Sequence, residues 1–278
     1  MLKTRVITAV ILLLVFLGAI FYLPRTGWAL FCGVVAVLAA WEWGAFLKFG
    51  ATARIALGGA LGALILALIA FLPGMLGIGD GFAYQGWGVG RFLLIPSVLF
   101  WVVAVPFWLR HRWPLKSRAV GLAVGLVVIL PTWLALVQLR ALGPWPLLAI
   151  MAVVWMADIA AYFSGRAFGK HKLAPNISPG KTWEGAVGAG IGVIAYGLVL
   201  RYSFPYYLDI ATPLLVLGLV LLTAVSVIGD LFESLLKRQS GIKDSSQLLP
   251  GHGGVLDRID SLTSTLPLVT LLWLAFQR

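Results

Sequence analysis

The chain has 278 residues, 61% of them hydrophobic and only 11% charged, with a mean hydropathy of +0.99 and a formal net charge of +11. A soluble domain of this length carries about 25% charged residues, so these residues cannot build a water-facing shell, and a single globular core is excluded. The long, continuous apolar runs also exclude a transmembrane barrel, whose strands alternate. What remains is an all-α, polytopic transmembrane helix bundle, in which each span satisfies its own backbone. The positive charge reads as topology signal and contact with anionic membrane lipids, and no nucleic acid partner is expected.

A span needs roughly 20 apolar residues. About nine runs qualify: 5–23, 27–47, 56–73, 92–109, 119–137, 145–164, 185–201, 212–232 and 262–276. Lys3 and Arg5 precede the first run as in a signal peptide. No small-residue cleavage site follows it, so it is read as a retained first helix. The second run holds the single cysteine, Cys32, which has no disulfide partner and is assigned to packing. It also holds Glu42 between Trp41 and Trp43; tryptophans suit the headgroup belt, and Glu42 reads as structural. The third, fourth and ninth runs are the weakest, being short or ending near Pro or Gly.

With nine spans and a cytoplasmic N-terminus, 16 of the 21 basic residues lie inside and five (Arg25, Arg91, Arg140, Arg201 and Arg278) lie outside. This is the asymmetry of the positive-inside rule. The acids divide the chain near residue 150. Residues 1–150 hold only Glu42 and Asp80, whereas 151–278 hold eight acids, all but Asp209 on or near the cytoplasmic side. Acids are costly near lipid and mark sites. Residues 1–150 are therefore expected to be scaffold helices, and 151–278 a catalytic transmembrane region with cytoplasmic active-site loops.

In the sixth run, Asp158 is a candidate to meet a metal or a loop lysine, with a structural helix–helix hydrogen bond as the alternative. The next loop reads Ser178-Pro179-Gly180-Lys181-Thr182-Trp183-Glu184. It ends like a phosphate-binding P-loop, but Pro175 stands where the first glycine belongs, with four residues between it and Gly180, and no strand is expected before it, so a true Walker motif is rejected. Lys181 and the turn could still hold phosphate at a helix N-terminus; the plainer reading makes Thr182 a helix cap.

Residues 230–260 concentrate acids, bases and glycines. Asp257 and Asp260 are three apart, and a helix starting near them puts both carboxylates on one face. Hard oxygen ligands favour Mg²⁺, bound through carboxylates and substrate phosphates, and Asp230 could complete the set. The plainer reading has Asp257 capping a helix and Asp260 pairing with Arg258. Lys237, Arg238 and Lys243 suit phosphate oxygens or simple anchoring at the membrane surface. The turn Gly251-His252-Gly253-Gly254 lets backbone amides approach a phosphate, with His252 as a donor or acid.

Ser234-x-apolar-Lys237-Arg238, then Lys243-Asp244, then His252-Gly253-Gly254-apolar-x-Asp257-Arg258-x-Asp260 resembles the signature of the phosphatidate cytidylyltransferases (CDP-diacylglycerol synthases). The loop from Ser178 to Glu184 resembles that family's second shared segment. With Asp158, the resemblance covers roughly residues 150–265; the first 150 residues share only a hydrophobic, many-helix character. The resemblance implies transfer of the cytidylyl group of CTP to phosphatidic acid with release of diphosphate. It also implies a Mg²⁺ ion, with a second cation such as K⁺ beside it, among Asp230, Asp257 and Asp260. In that reading Lys181, Lys237, Arg238 and Lys243 neutralise phosphates and His252 positions or protonates the diphosphate. Ser178, Thr182, Gly253, Gly254 and Arg258 complete the binding surface, and Asp158, Glu184, Glu233, Ser234 and Asp244 support it. The enzyme is expected in the bacterial inner membrane with its active site facing the cytoplasm, and a homodimer is a candidate assembly. The rival readings are a CTP-dependent lipid kinase and a transporter.

Overall fold

The computed structural model describes residues 2–78, 84–204 and 210–276. Asp80, Asp209 and Arg278 lie outside the described residues. In chain order the elements are α1 (Leu2–Tyr22), α2 (Arg25–Phe46), α3 (Ala51–Phe71), a 3₁₀ turn (Pro73–Leu76) and α4 (Tyr84–Leu99). A π-helical segment (Phe100–Ala104), α5 (Val105–His111), α6 (Arg118–Ala141) and α7 (Pro144–Phe168) follow. A hairpin of β1 (Lys172–Ala174) and β2 (Ser178–Thr182) then leads to α8 (Trp183–Ser203), α9 (Thr212–Ser240) and α10 (Leu256–Phe276). The molecule is a polytopic helical bundle, and the chain is a membrane protein.

Each of the nine apolar runs falls on helix. The fourth is α4, the π segment and α5 in unbroken succession, with Pro96 inside α4. Proline removes a backbone donor and crowds the preceding turn, and a π segment is one way a helix absorbs such a fault. Among the described residues, eight helical passages are long and apolar enough to cross a membrane. α10 is the ninth helix; its 21 residues reach far enough at about 1.5 Å per residue.

The polarity of α10 has a packing cause. Ser261, Thr263, Ser264 and Thr265 are buried, as are Leu262, Leu266 and Leu268 around them. Their hydroxyls bond helix carbonyls: Ser264 Oγ donates to Val225 O (2.9 Å) and Ser261 Oγ to Ser226 O (3.3 Å), both on α9. The helix is sheathed by protein, so it need not be greasy all round. Gly229 permits the closest approach, since a Cβ there would lie 2.4 Å from Ser264 Oγ and 3.0 Å from Asp260 O. α1 instead leaves Val6, Ile7, Ile11 and Leu14 exposed, the surface expected of a lipid-facing helix.

The loop before α8 is not strandless. β1 and β2 pair antiparallel, with Lys172 opposite Thr182 and Ala174 opposite Ser178. Pro179 and Gly180 resist helix, so the segment stays extended until Thr182. There the Thr182 hydroxyl accepts from Gly185 N (3.1 Å), a cap that starts α8. Glu184 in the first turn accepts from the backbone N and the Nδ1 of His171 (3.2 and 2.6 Å), locking hairpin to helix.

Candidate active site

Asp230, Glu233, Ser234 and Lys237 follow i, i+3, i+4, i+7 spacing along α9 and so share one face. That face meets the start of α10 and the hairpin. Lys181 of β2 ion-pairs with Asp230 (2.5 Å), whose other oxygen accepts from Ser234 Oγ (3.2 Å). Lys237 ion-pairs with both Glu233 (3.2 Å) and Asp257 (2.7 Å). Asp260 accepts from Ser261 N (2.7 Å) and lies within electrostatic reach of Asp230 and Glu233. Asp158 of α7 reaches the same field through Asp230, Lys181 and Arg258. The second carboxylate oxygen of Asp257 faces away from α9. It accepts from Ser245 N (2.9 Å), Ser245 Oγ (2.9 Å) and Gly254 N (2.8 Å), tying the 241–255 loop to α10.

That loop has a second anchor, from the other half of the chain. Glu42 of α2 is fully buried and accepts from Ser246 Oγ (2.6 Å), Ser245 Oγ (3.1 Å), Val255 N (2.9 Å) and Leu256 N (2.7 Å). Glu42 is therefore structural, as its place in the sequence suggests: it caps the start of α10 and fixes the loop. The signal available in the sequence was an acid inside an apolar run, costly unless it is used. Ser245 and Ser246 were equally unmarked. Gly253 has φ +81°, and a Cβ on Gly254 would lie 2.0 Å from Ser245 Oγ and 2.5 Å from Glu42 Oε1. Gly253 and Gly254 are thus required by close packing against the two carboxylate anchors, Asp257 and Glu42. His252 Nδ1 is buried with no protein partner.

The remaining residues read from the sequence are more dispersed. Ser178 is half-buried on β2, Thr182 is committed to its cap and Glu184 to His171. Arg238 is exposed and leans on the hairpin through Ile177 O (3.5 Å). Arg258 is exposed within reach of Asp158. Lys243 and Asp244 are exposed, and neither enters the ion pairs among the described residues.

The donor set suits a hard cation. Asp158, Asp230, Glu233, Asp257 and Asp260 outnumber Lys181, Lys237 and Arg258, so acids are in formal excess over bases here. Glu233 is 5% exposed, with the Lys237 ammonium 3.2 Å away and the carboxylates of Asp257 and Asp260 crowding it. A buried carboxylate in that state lacks part of its compensation. Among the described residues no three acids, histidines or cysteines stand close enough to chelate an ion as placed. Lys181 and Lys237 provide the counter-charge between them.

An apolar bundle enclosing acids and lysines suits a membrane protein that handles anionic groups. The Cytidylyltransferase family model matches residues 3–276. A phosphatidate cytidylyltransferase of Pseudomonas aeruginosa is 46% identical over 285 aligned positions, covering 99% of this chain and 98% of the relative. Phosphatidate cytidylyltransferases of Haemophilus influenzae (38% identical, 96% of each chain) and Staphylococcus haemolyticus (35%, 97% of this chain and 98% of the relative) are also similar. The chain belongs to the phosphatidate cytidylyltransferase family and is a nucleotidyltransferase enzyme.

Proposed function

We propose that this enzyme joins CTP to phosphatidic acid, forming CDP-diacylglycerol and diphosphate, by in-line attack of the lipid phosphate on the α-phosphorus of CTP at the cytoplasmic face of the inner membrane. The observation that carries this reading is the meeting of Asp230, Glu233, Asp257 and Asp260 with Lys181 and Lys237 at the junction of α9, α10 and the hairpin. The lipid phosphate is already an anionic nucleophile, so the obstacle is repulsion between two anions and charge on the departing diphosphate. Lys181 and Lys237 neutralise phosphate oxygens, and the carboxylates hold both ammonium groups in place until substrate arrives. His252, whose Nδ1 is buried without a protein partner, is assigned to position the diphosphate. Glu42 and Asp257 keep the loop bearing His252 rigid. Arg238, Lys243 and Arg258, all exposed, draw in CTP.

Asp230 and Asp260, with Glu233 behind them, would hold Mg²⁺, which when bound neutralises and aligns the phosphates. Asp257 gives one oxygen to Lys237 and the other to the loop, so its role as a third ligand requires Lys237 to release it. The chemistry is thus concentrated in residues 151–278, with Glu42 as the contribution of 1–150. The proposed topology has nine spans with the N-terminus in the cytoplasm, α10 being the last.

The test is an assay of purified protein with phosphatidic acid, Mg²⁺ and CTP labelled at either the α- or the γ-phosphate. Label from the α position should enter the lipid, diphosphate should be released, and Asp230→Asn should lower turnover by about two orders of magnitude or more. Entry of γ-label alone would identify a lipid kinase and overturn the reading.

A further inference from the structure

A second polar cavity, of about 400 Å³, opens between the end of α2, the α5–α6 connection and the last turn of α9. Its polar lining is Lys48, Lys116, Ser117, Arg118, Gln239 and Ser240, and it contains no acid. It shares no lining residue with the acidic cleft. Among the described residues, Lys48, Lys116 and Arg118 face no carboxylate at ion-pair distance. All three are exposed, and Arg118 lies over the Phe49 ring (5.6 Å), so their charges meet solvent and an aromatic face but no acid.

Backbone conformation singles out the same place. Lys48 (φ 54°) and Arg112 (φ 50°) are the non-glycine residues with positive φ among those described. Both follow helix ends, at α2 and α5, where glycine is the usual occupant because a side chain is disfavoured there. Lys48 lines the cavity, and Arg112 begins the connection that forms its wall. A cation is thus kept where a glycine would be easier. Gln239 holds that wall, donating to Arg112 O (3.2 Å) and Trp113 O (2.9 Å) while accepting from Leu115 N (3.4 Å). The wall is built, and the first turn of α6 opens into the space with Ser117 as its cap. Helix amides and three basic side chains converging on one cavity match an oxyanion, and the volume suits a headgroup-sized ligand.

We propose that this cavity binds a phosphate-bearing anion, supplied either by the headgroup of an anionic membrane phospholipid or by a free phosphate compound, at a site separate from the acidic cleft. Its floor is the end of α9, the helix that carries Asp230 and Glu233 in earlier turns and Lys237 in its last. Occupancy therefore bears on the helix that positions the acids.

The test uses the full chain in phosphatidylcholine nanodiscs, with and without phosphatidylglycerol, read by native mass spectrometry for retained lipid. Calorimetry with inorganic diphosphate is the second arm. The variant Lys48→Ala/Lys116→Ala/Arg118→Ala should lose retention about tenfold or more in the arm that supplies the ligand. Loss of phosphatidylglycerol alone assigns a lipid headgroup, loss of a diphosphate binding event alone assigns a free phosphate compound, and loss of both assigns a site open to either. Lys48→Gly, which relieves the left-handed backbone, should fold with an unchanged or higher Tm and still bind more weakly. If both variants retain both anions as the parent does, the cavity is not an anion site.

Discussion

Glu42 is a buried carboxylate that accepts four hydrogen bonds and has no cation at ion-pair distance among the described residues. Two of its donors are backbone amides at the start of α10, groups that a helix cannot satisfy internally. The other two are the hydroxyls of Ser245 and Ser246, which also fix the loop. A glutamine is nearly the same shape, but it sets an NH₂ group against one of these donors. Hydrogen bonds to charged groups contribute about 1.5–3 kcal/mol each, so Glu42→Gln should cost about 2–4 kcal/mol of stability. Turnover should fall at least tenfold in the folded fraction, because the loop carrying His252 and Gly254 loses its brace. Thermal unfolding and specific activity, measured together on monodisperse protein, check both. Full specific activity would show that the loop holds its shape without Glu42. The sequence displayed this acid as plainly as Asp158, but hydropathy alone could not say what faced it. Its partners lie some 200 positions away and are ordinary serines and amides.

At the scale of elements, the helices were readable because lipid imposes length and apolarity on any segment it surrounds. The exceptions are segments surrounded by protein. α10 reads as a weak span because Ser261, Thr263, Ser264 and Thr265 point into protein and bond helix carbonyls. The hairpin was invisible because its strands are three and five residues long, too short for a period to show. The glycines of the two motif loops look alike in sequence but differ in surroundings. A Cβ on Gly254 would lie 2.0 Å from Ser245 Oγ, whereas a Cβ on Gly180 would have nothing within 4 Å. Gly254→Ala should therefore sharply reduce folded yield or activity. Gly180→Ala should fold normally, and any loss it shows reports substrate contact with the hairpin. Fluorescence-detected size exclusion alongside the labelled-CTP assay separates these outcomes; a fully active Gly254→Ala would mean that the loop is looser than its contacts indicate.

For the molecule as a whole, α10 packs against helices from both ends of the chain, α2, α4 and α6 on one side and α7 and α9 on the other. The acids of the second half thus stand on a frame to which both halves contribute. The signature of residues 234–260 marks the side chains proposed to do chemistry, but not that α2 steadies the loop that carries them, because that information lies in packing. Orientation then decides which compartment supplies CTP. The hairpin and the 241–255 loop both adjoin the acidic cleft, whereas the turn between α1 and α2 lies one span away from the N-terminus. Cys32 is the single cysteine and is buried, so introduced thiols at exposed positions report cleanly. Asn176 of the hairpin and Thr26 in the first turn of α2 are both exposed. With the N-terminus in the cytoplasm, a membrane-impermeant maleimide should label Thr26→Cys in intact spheroplasts and Asn176→Cys only after permeabilisation. The opposite pattern would put the acidic cleft on the side that lacks CTP, and the proposed reaction could not be supplied. The 16-to-5 division of basic residues argues for the first pattern, because each lysine or arginine moved outward works against the positive-inside bias.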